Sequence, residues 1–313
     1  LKRRMSIEFH RRMLADRVRH EAFRAALKKA IEPGKSAVAD IGAGLGVLAF
    51  FARELGAREV WLYDPGPALE LAEVVAARNG IEGLHFVRER SLDVADPPLV
   101  DVVVAEVLGN FAYEEDVLET LRDAQRFLRP GGTLIPASIE QWVAPVTADR
   151  FERDLSSWRE VGFGLDWSDA ERMSRNNMYV FPIEPKDLLA DAAQRWDSLD
   201  FHGAIESRRS GRAAWRMREA RPLYGFALWW DCTLAPGVVL STSPHAPRTH
   251  WDQIYLPLLT PIAAEPGDEI TVTIESETGG GETGIEVRWT VRHARGGRPA
   301  DEQALSIGSG WLA

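Results

Sequence analysis

The stretch VADIGAGLG, residues 38–46, decides the fold of this 313-residue chain. A short apolar run enters a turn with glycines at positions 42, 44 and 46, and a mostly apolar segment follows as a predicted helix. Glycine allows a tight turn and lets the backbone approach a ligand closely. A strand that passes through such a turn into a helix predicts an α/β fold with a parallel, doubly wound sheet.

The segments around this turn continue the alternation of helices and strands. Residues 5–31 predict one helix from apolar residues four apart, and Pro33 and Gly34 end it. Downstream, strands are predicted at EVWLYD (59–64), LHFVRE (84–89) and VDVVVAEV (100–107), and helices at ALELAEVVAARNG (68–80) and within 114–132.

The pattern changes after GGTLIP (131–136). Residues 147–200 predict an irregular helical insertion, with KDLLADAAQRW (186–196) as its last helical stretch. From about residue 222 the chain predicts strands, and EITVTIES (269–276) and GIEVRWTVRH (284–293) alternate apolar and polar residues. Such alternation is typical of a half-exposed antiparallel sheet. The chain is therefore expected to have an α/β half and a β-rich half.

Composition narrows the class of protein. The net charge of −10 argues against nucleic acid as a partner and suits a cationic one. The single cysteine, Cys232, allows no intrachain disulfide, so we expect a reducing compartment, the cytoplasm. The first residues are too charged for a signal peptide, and no apolar run predicts a membrane span or membrane partner. Because the chain starts at Leu1, we expect native residues to be missing before it.

The glycine turn and the acid that follows it predict a nucleoside ligand. Asp64 ends the next predicted strand, where a carboxylate can accept hydrogen bonds from both ribose hydroxyls. The glycine spacing is GxGxG rather than the GxGxxG of dinucleotide sites. The alternative ligand is a nicotinamide cofactor. The interpretation without any ligand is an ordinary tight strand–helix turn followed by a solvated aspartate.

Two glutamates nine residues apart predict a site for a guanidinium group. Glu106 ends an apolar strand at its carboxyl edge, where open α/β sheets bind ligands. Glu115 follows a loop that contains Gly109 and can return to the same pocket. Two close carboxylates repel each other unless a cation lies between them. A guanidinium is planar, permanently charged and able to make paired bonds to carboxylates.

Four motifs, in order, resemble those of the protein arginine methyltransferases, a family of class I S-adenosylmethionine-dependent methyltransferases. They are HRRMLADRVR (10–19), the glycine turn, AEVLGNFAYEE (105–115) and the THW loop within STSPHAPRTHWDQIYLPLL (241–259). The resemblance covers nearly the whole chain. It implies a Rossmann-like domain over residues 1–136, a β-barrel-like domain over 137–313 with a helical dimerisation arm at about 147–200, and a homodimer.

The resemblance also implies roles for matching residues. Glu106 and Glu115 would hold the substrate guanidinium, and His250 would pair with Asp16 as part of the catalytic set. Trp251 is expected to pack the seam between the two halves, and it is also a candidate substrate contact. The donor, S-adenosylmethionine, would be bound without a metal by a set of eight residues: His10, Met13, Arg19, Asp40, Gly42, Gly44, Asp64 and Ser91.

Several positions depart from the family pattern. Arg3, Arg4 and Met5 stand where relatives often carry an aromatic motif. Ser91 stands where an acid near the adenine is usual, although Asp93 is close. Glu114 competes with Glu115 for the role of second glutamate. The loop before the second glutamate resembles that of the symmetrically dimethylating branch of the family, whereas Met13 and the THW triplet resemble the asymmetrically dimethylating branch. The sequence therefore does not decide which methylated arginine is the product.

Three functions remain open. The first is methylation of arginine in proteins or peptides. The second is methylation of free arginine or another small guanidine, in which Arg248 would bind the substrate carboxylate bidentately; an exposed or ion-paired arginine is the simpler interpretation. The third is a non-catalytic donor-binding scaffold, which is disfavoured because the full set of site residues is present.

Overall fold

The first half of the chain folds around a five-stranded parallel sheet. The structure is a computed structural model, and it describes residues 7–279 and 284–310. The strands are β1 (Ala37–Ile41), β2 (Glu59–Tyr63), β3 (Leu84–Val87), β4 (Val100–Ala105) and β5 (Leu128–Ile135). Their order is β3-β2-β1-β4-β5, with every neighbouring pair parallel. The order reverses at β1, and such a switch point opens a ligand crevice at the carboxyl ends of the strands.

The amino-terminal helix is broken at Asp16. The helices of this half are α1 (Ile7–Ala15), α2 (Arg17–Ala30), α3 (Val47–Glu54), α4 (Ala68–Arg78) and α5 (Val117–Ala124). The prediction of one helix over 5–31 is therefore wrong at this point. Asp16 adopts an extended conformation, and its side chain caps α2 by accepting from the Arg19 backbone N–H.

The second half consists of antiparallel sheets. Its strands are β6 (Ser138–Val146), β7 (Tyr179–Phe181), β8 (Gln194–Asp200), β9 (Arg208–Arg216), β10 (Arg221–Ala235), β11 (Val238–Ser241), β12 (Gln253–Ala264), β13 (Glu269–Thr278), β14 (Ile285–Arg295) and β15 (Arg298–Ser306). One sheet has the order β7-β12-β10-β6-β8, with β11 on β10, and the other has the order β15-β14-β13-β9. In β14 buried and more exposed residues alternate as predicted. The predicted fold class, a Rossmann-like core followed by a barrel-like antiparallel unit, is confirmed.

The helical insertion is shorter than predicted. It contains α6 (Arg150–Leu155), a 3₁₀ turn (Ser156–Glu160) and α7 (Ser168–Arg175). The stretch 186–196 is not helical: it lies in a 3₁₀ turn, a loop and the start of β8. The reason is tertiary pairing, because β8 forms a ladder with β6 and buries Trp196.

One continuous apolar core joins the two halves. It contains buried residues of the parallel sheet, such as Val104, and of the antiparallel sheet, such as Trp230. β5 ends at Ile135 and β6 begins at Ser138, while the domain division at residue 136 stays our interpretation. No helix within residues 7–279 and 284–310 is long and apolar enough to cross a membrane.

Candidate active site

A cavity opens at the carboxyl ends of β1, β2 and β4, where the strand order reverses. It encloses about 900 Å³ including its mouth. Most of the residues that the sequence singled out line it: His10, Met13, Arg19, Asp40, Gly42, Gly44, Asp64, Glu106, Glu114, Glu115, His250 and Trp251. The fold thus brings together segments that lie as much as 241 residues apart, from His10 to Trp251.

The glycine turn forms one wall of the cavity and requires glycine. Gly42 and Gly44 have φ angles of +73° and +52°, which other residues rarely adopt. A Cβ on Gly42 would lie 2.7 Å from a Val107 methyl carbon, and one on Gly44 would contact the His10 ring at 3.4 Å. Glycine is therefore favoured at both positions by the backbone conformation, and at Gly42 also by the lack of space beside Val107.

Asp64 is fixed against the turn. One oxygen accepts from the Gly44 N–H at 2.8 Å, and the other accepts from the Gly66 N–H at 2.6 Å. Each carboxylate oxygen keeps further lone-pair capacity. The carboxylate can therefore accept hydrogen bonds from ribose hydroxyls while the backbone holds it in place.

Asp40 is buried at the end of β1 beneath the turn. Its carboxylate accepts from the Ala49 N–H of α3 at 3.0 Å, and burial raises its pKa to about 7. This residue was expected to contact the cofactor. The structure also shows a structural role for Asp40, because its carboxylate links β1 to the first turn of α3.

Arg19 and Glu106 form a nearly buried ion pair in the cavity wall. The Arg19 Nε donates to Glu106 Oε2 at 2.8 Å, and Nη2 contacts the same oxygen. The sequence predicted both residues but not their contact. They lie 87 positions apart, and no local pattern carries that information.

The ionisation of Glu115 depends on its surroundings in the cavity. Burial, with repulsion from Glu106 and the neighbouring acids, raises its pKa to about 7. Glu114 instead turns back to the loop, where its Oε2 accepts from the Phe111 N–H at 3.2 Å. The repulsion between Glu106 and Glu115 favours Glu115 as the second glutamate of the pair.

Asp16 and His250 form the predicted pair. Asp16 Oδ2 lies 2.8 Å from His250 Nδ1 and accepts from the His250 backbone N–H at 2.8 Å, while Oδ1 accepts from the Arg19 N–H at 2.9 Å. Burial opposes ionisation, but these hydrogen bonds hold the pKa of Asp16 below its usual range. The carboxylate that caps α2 thus also holds the THW loop.

Trp251 packs the seam between the two halves, as expected. Its indole N–H donates to the Leu108 carbonyl at 2.8 Å, and that of Trp230 donates to the Gly109 carbonyl at 3.1 Å. The two rings meet edge to face at 5.1 Å. Both hydrogen bonds hold the loop between Glu106 and Glu115 in place. Trp251 also lines the cavity.

Three predicted site residues are not in the cavity lining: Asp16, which reaches it through His250, and Arg248 and Ser91. Arg248 is outside the cavity lining: its side chain is 80% exposed and lies 3.6 Å from the Asp252 carboxylate. This position gives no support to the predicted clamp on a substrate carboxylate, because Arg248 points to solvent and to its own ion-pair partner. Ser91 is buried in a 3₁₀ turn away from the lining, where its carbonyl accepts from Arg126. Its contact with adenine stays a prediction.

Some lining residues were missed by the sequence analysis. Phe9 and Leu14 of α1 reach the cavity, as does Asn110, whose side chain accepts from the Asp252 N–H at 2.9 Å. The four-residue spacing of Phe9 and Met13 was a usable signal for a shared face. Arg3, Arg4 and Met5, which replace the aromatic motif, lie outside the described residues.

Known protein families match both halves of the chain. A model described as the arginine methyltransferase oligomerization subdomain matches residues 137–292, and one for the ribosomal protein L11 methyltransferase matches residues 24–153. Protein arginine N-methyltransferase 6 of Xenopus tropicalis is 32% identical over 282 residues, covering 85% of this chain and 82% of that protein. The probable protein arginine N-methyltransferase 6 of Arabidopsis thaliana is 26% identical over 308 residues, covering 83% and 70%.

Solved structures share the architecture. The Trypanosoma brucei PRMT1 enzyme-prozyme heterotetrameric complex with AdoHcy superimposes with a TM-score of 0.86 at 21% identity, covering 96% of this chain and 98% of that chain. Arabidopsis thaliana protein arginine methyltransferase 10, in an open conformation, gives a TM-score of 0.80 at 22% identity over the same shares of the two chains. At these identities the likeness concerns the fold.

Proposed function

The chain belongs to the protein arginine N-methyltransferase family, and from this membership we propose that it transfers a methyl group from S-adenosylmethionine to a guanidino nitrogen of arginine in proteins or peptides. One observation carries the proposal. Glu106 and Glu115, which suit a guanidinium, line the same cavity as the glycine turn and Asp64, which suit a nucleoside. A donor and an acceptor can therefore meet there.

The donor half of the cavity fits S-adenosylmethionine. When bound, this donor supplies an electrophilic methyl group on a sulfonium. Asp64 would accept from the ribose hydroxyls, and the left-handed turn at Gly42 and Gly44 leaves room for the ligand against the backbone. Arg19 would bind the donor carboxylate while its guanidinium also pairs with Glu106.

The acceptor half of the cavity orients the arginine. Two carboxylates draw the positive charge of the guanidinium toward two of its nitrogens and aim the third at the methyl group. Most of the rate gain then comes from positioning and fixed charge. The bound cation also lowers the pKa of Glu115 from its raised value, because an opposite charge favours the ionised form.

We also assign Glu115 as the acceptor of the proton that the guanidinium loses on methylation. The Asp16 carboxylate already accepts three hydrogen bonds from Arg19 and His250, so we assign it to holding the THW loop rather than to taking the proton. Before the guanidinium binds, burial raises the pKa of Glu115 to about 7, and the bound cation then favours the ionised form, which can accept the proton. The roles of the two acidic groups therefore differ because their surroundings differ.

A methyl-transfer assay with mass analysis tests this function. The protein is incubated with S-adenosylmethionine and either an arginine-rich peptide or free arginine. We expect mass gains of one or more methyl groups on the peptide. Because Arg248 lies outside the cavity, free arginine is expected to be the poorer substrate. Activity on free arginine alone would establish the small-guanidine alternative. If no methyl group is transferred to any guanidine, the non-catalytic donor-binding scaffold is the remaining function.

Charge-removing variants test the glutamates. Glu106→Gln and Glu115→Gln keep the side-chain shape, and each is expected to lower kcat by about 100- to 1,000-fold, as loss of one fixed electrostatic group does in comparable sites. Glu54→Gln is the control: its side chain is 57% exposed, and it pairs with Arg24 on the surface. Equal losses in all three variants would contradict the assignment, and loss in Glu114→Gln but not Glu115→Gln would shift the pair by one residue.

We propose that the protein acts in the cytoplasm as a homodimer. Its single cysteine, Cys232, is a free, buried thiol, which supports a reducing compartment. The segment between α6 and α7 exposes Val161, Phe163 and Leu165, with Phe163 86% exposed, and the matched family model is an oligomerization subdomain. Apolar side chains in such a cluster are typical of an interaction surface. Light scattering is expected to give twice the chain mass, and Phe163→Ser is expected to weaken the dimer; a monomeric unmutated protein would contradict this.

A further inference from the structure

The loop that carries Glu115 ends in an unfavourable backbone conformation. Residues 106–115 form the double-glutamate loop, and both Glu115 and the following Asp116 are left-handed, with φ angles of +60° and +58°. Residues other than glycine seldom adopt this region, and they keep it only where the surrounding structure imposes it. The direction of the Glu115 side chain thus depends on what holds the end of this loop.

Tyr113, two residues before Glu115, holds this end of the loop. Its ring is 1% exposed and packs edge to face with Phe111, which stacks on Trp196 of β8. The Tyr113 hydroxyl donates to Asp197 Oδ2 at 2.5 Å. This hydrogen bond therefore joins Tyr113 of the parallel half to β8 of the antiparallel half.

Asp197 is itself fixed by Arg209 of β9. The guanidinium donates to both carboxylate oxygens, from Nη2 to Oδ1 at 2.6 Å and from Nε to Oδ2 at 3.0 Å. Nη2 also donates to the Ser198 carbonyl at 2.9 Å. Paired, nearly buried bonds of this kind add geometric specificity, because the planar fork fits a carboxylate in one orientation.

We propose that Tyr113, Asp197 and Arg209 form a positioning chain that sets where Glu115 stands in the cavity. The amino-terminal half of the loop is gripped by the indoles of Trp230 and Trp251, and the carboxyl-terminal half is gripped by this chain. The inference rests on the proposed function, since it assigns Glu115 the substrate guanidinium. Tyr113 does not line the cavity, so its effect passes through the backbone to Glu115.

A matched pair of variants tests the chain. Tyr113→Phe removes one hydroxyl and leaves Asp197 paired with Arg209. Tyr255→Phe is the control, because Tyr255 is equally buried and its hydroxyl donates to the Tyr224 carbonyl at 2.8 Å, away from the loop. For each variant we would measure the thermal midpoint, the affinity for S-adenosylhomocysteine, kcat and KM on an arginine-rich peptide, and amide hydrogen exchange over residues 106–116.

The two variants are expected to lose similar thermal stability and keep their affinity for S-adenosylhomocysteine within about twofold. Only Tyr113→Phe is expected to lower kcat, by about 10- to 100-fold, as small displacements of reacting groups do, and only it should speed exchange in the loop. Wild-type kcat and exchange in Tyr113→Phe, or equal losses in both variants, would overturn the inference. If the unmutated protein transfers no methyl group, the proposed function fails, and the exchange comparison alone decides whether the chain holds the loop.

Discussion

The ionisation of Glu115 makes the reaction depend on pH. Burial raises the pKa of this carboxyl to about 7 from a usual value of 4.5, and only the ionised form attracts a guanidinium. Because kcat/KM reports the free enzyme, we expect it to rise with pH and to level off above about pH 7. The measurement is a kcat/KM profile on an arginine-rich peptide from about pH 5 to about pH 9.

Asp40 has a similarly raised pKa, so the variants must separate the two carboxyls. The residual activity of Glu115→Gln is expected to lose the rise, whereas Glu54→Gln is expected to keep it. A rise that survives in Glu115→Gln would assign it to Asp40 or another group. A profile without any rise would contradict the pKa of Glu115.

Sequence position predicted most of the cavity lining but not the direction of Arg248. Asp64 and Glu106 could be found because each follows a strand at its carboxyl end, where parallel strands share an edge. Arg248 is predicted in the site because it immediately precedes the THW triplet. Neighbouring residues in a loop can face opposite directions, and the ion pair with Asp252 turns Arg248 outward. The contact between Arg19 and Glu106 depends on the complete fold and had no local signal.

At the scale of elements, a buried guanidinium anchors the helical insertion, the arm formed by α6, the 3₁₀ turn and α7. Arg175 at the end of α7 is 2% exposed in its side chain and pairs with Glu152 of α6 at 2.7 Å and with Glu171 at 2.8 Å. It also donates to the Leu258 carbonyl of β12 at 3.1 Å. One side chain thus joins both arm helices to the antiparallel sheet.

Removing this guanidinium is expected to loosen the arm. Arg175→Met removes this partner from Glu152, whereas Glu171 keeps its pair with Arg159, so we expect the free energy of unfolding to fall by about 3 kcal/mol, the lower end for a broken buried pair. The control is Arg153→Met, whose side chain is 72% exposed and which forms a 3.3 Å pair with Asp149; its expected cost is below about 1 kcal/mol. Urea unfolding measures both, and equal costs would show that the buried network contributes nothing beyond a surface pair.

The elements that the sequence predicted are those fixed by local pattern. Strands β1, β2 and β4 are short apolar runs bounded by turns, and β13 and β14 alternate with period two. The stretch 186–196 has helical composition but lies in a 3₁₀ turn, a loop and the start of β8, and in its last three residues the ladder with β6 outweighs local propensity. The break at Asp16 also escaped prediction, since the histidine that its carboxylate holds lies 234 residues away.

At the scale of the whole molecule, Cys232 reports on opening of the core. It lies in β10 between β6 and β11, it is fully buried, and burial raises the pKa of its thiol. We expect a thiol reagent to label the native protein slowly and the urea-unfolded protein at once. S-adenosylhomocysteine at 100 times its Kd is expected to slow labelling about 100-fold when opening must precede it, because the ligand stabilises the closed state. Fast labelling of the native protein would contradict the continuous core.

The bonds that cross the seam have a consequence for recombination between genes. Trp230 and Trp251 are encoded in the second half of the chain, yet their indoles hold carbonyl groups of the loop encoded in the first half. Tyr113 makes the reverse donation, from the first half to Asp197 of the second. A chimera that takes one half from a relative keeps these bonds only if the relative supplies the missing side chains: the two indoles in the second half, or Tyr113 in the first half and Asp197 in the second. The two halves therefore form one heritable unit, and the exchanges expected to be viable are replacements of short surface turns, such as residues 236–237 between β10 and β11, rather than a single crossover that parts the halves.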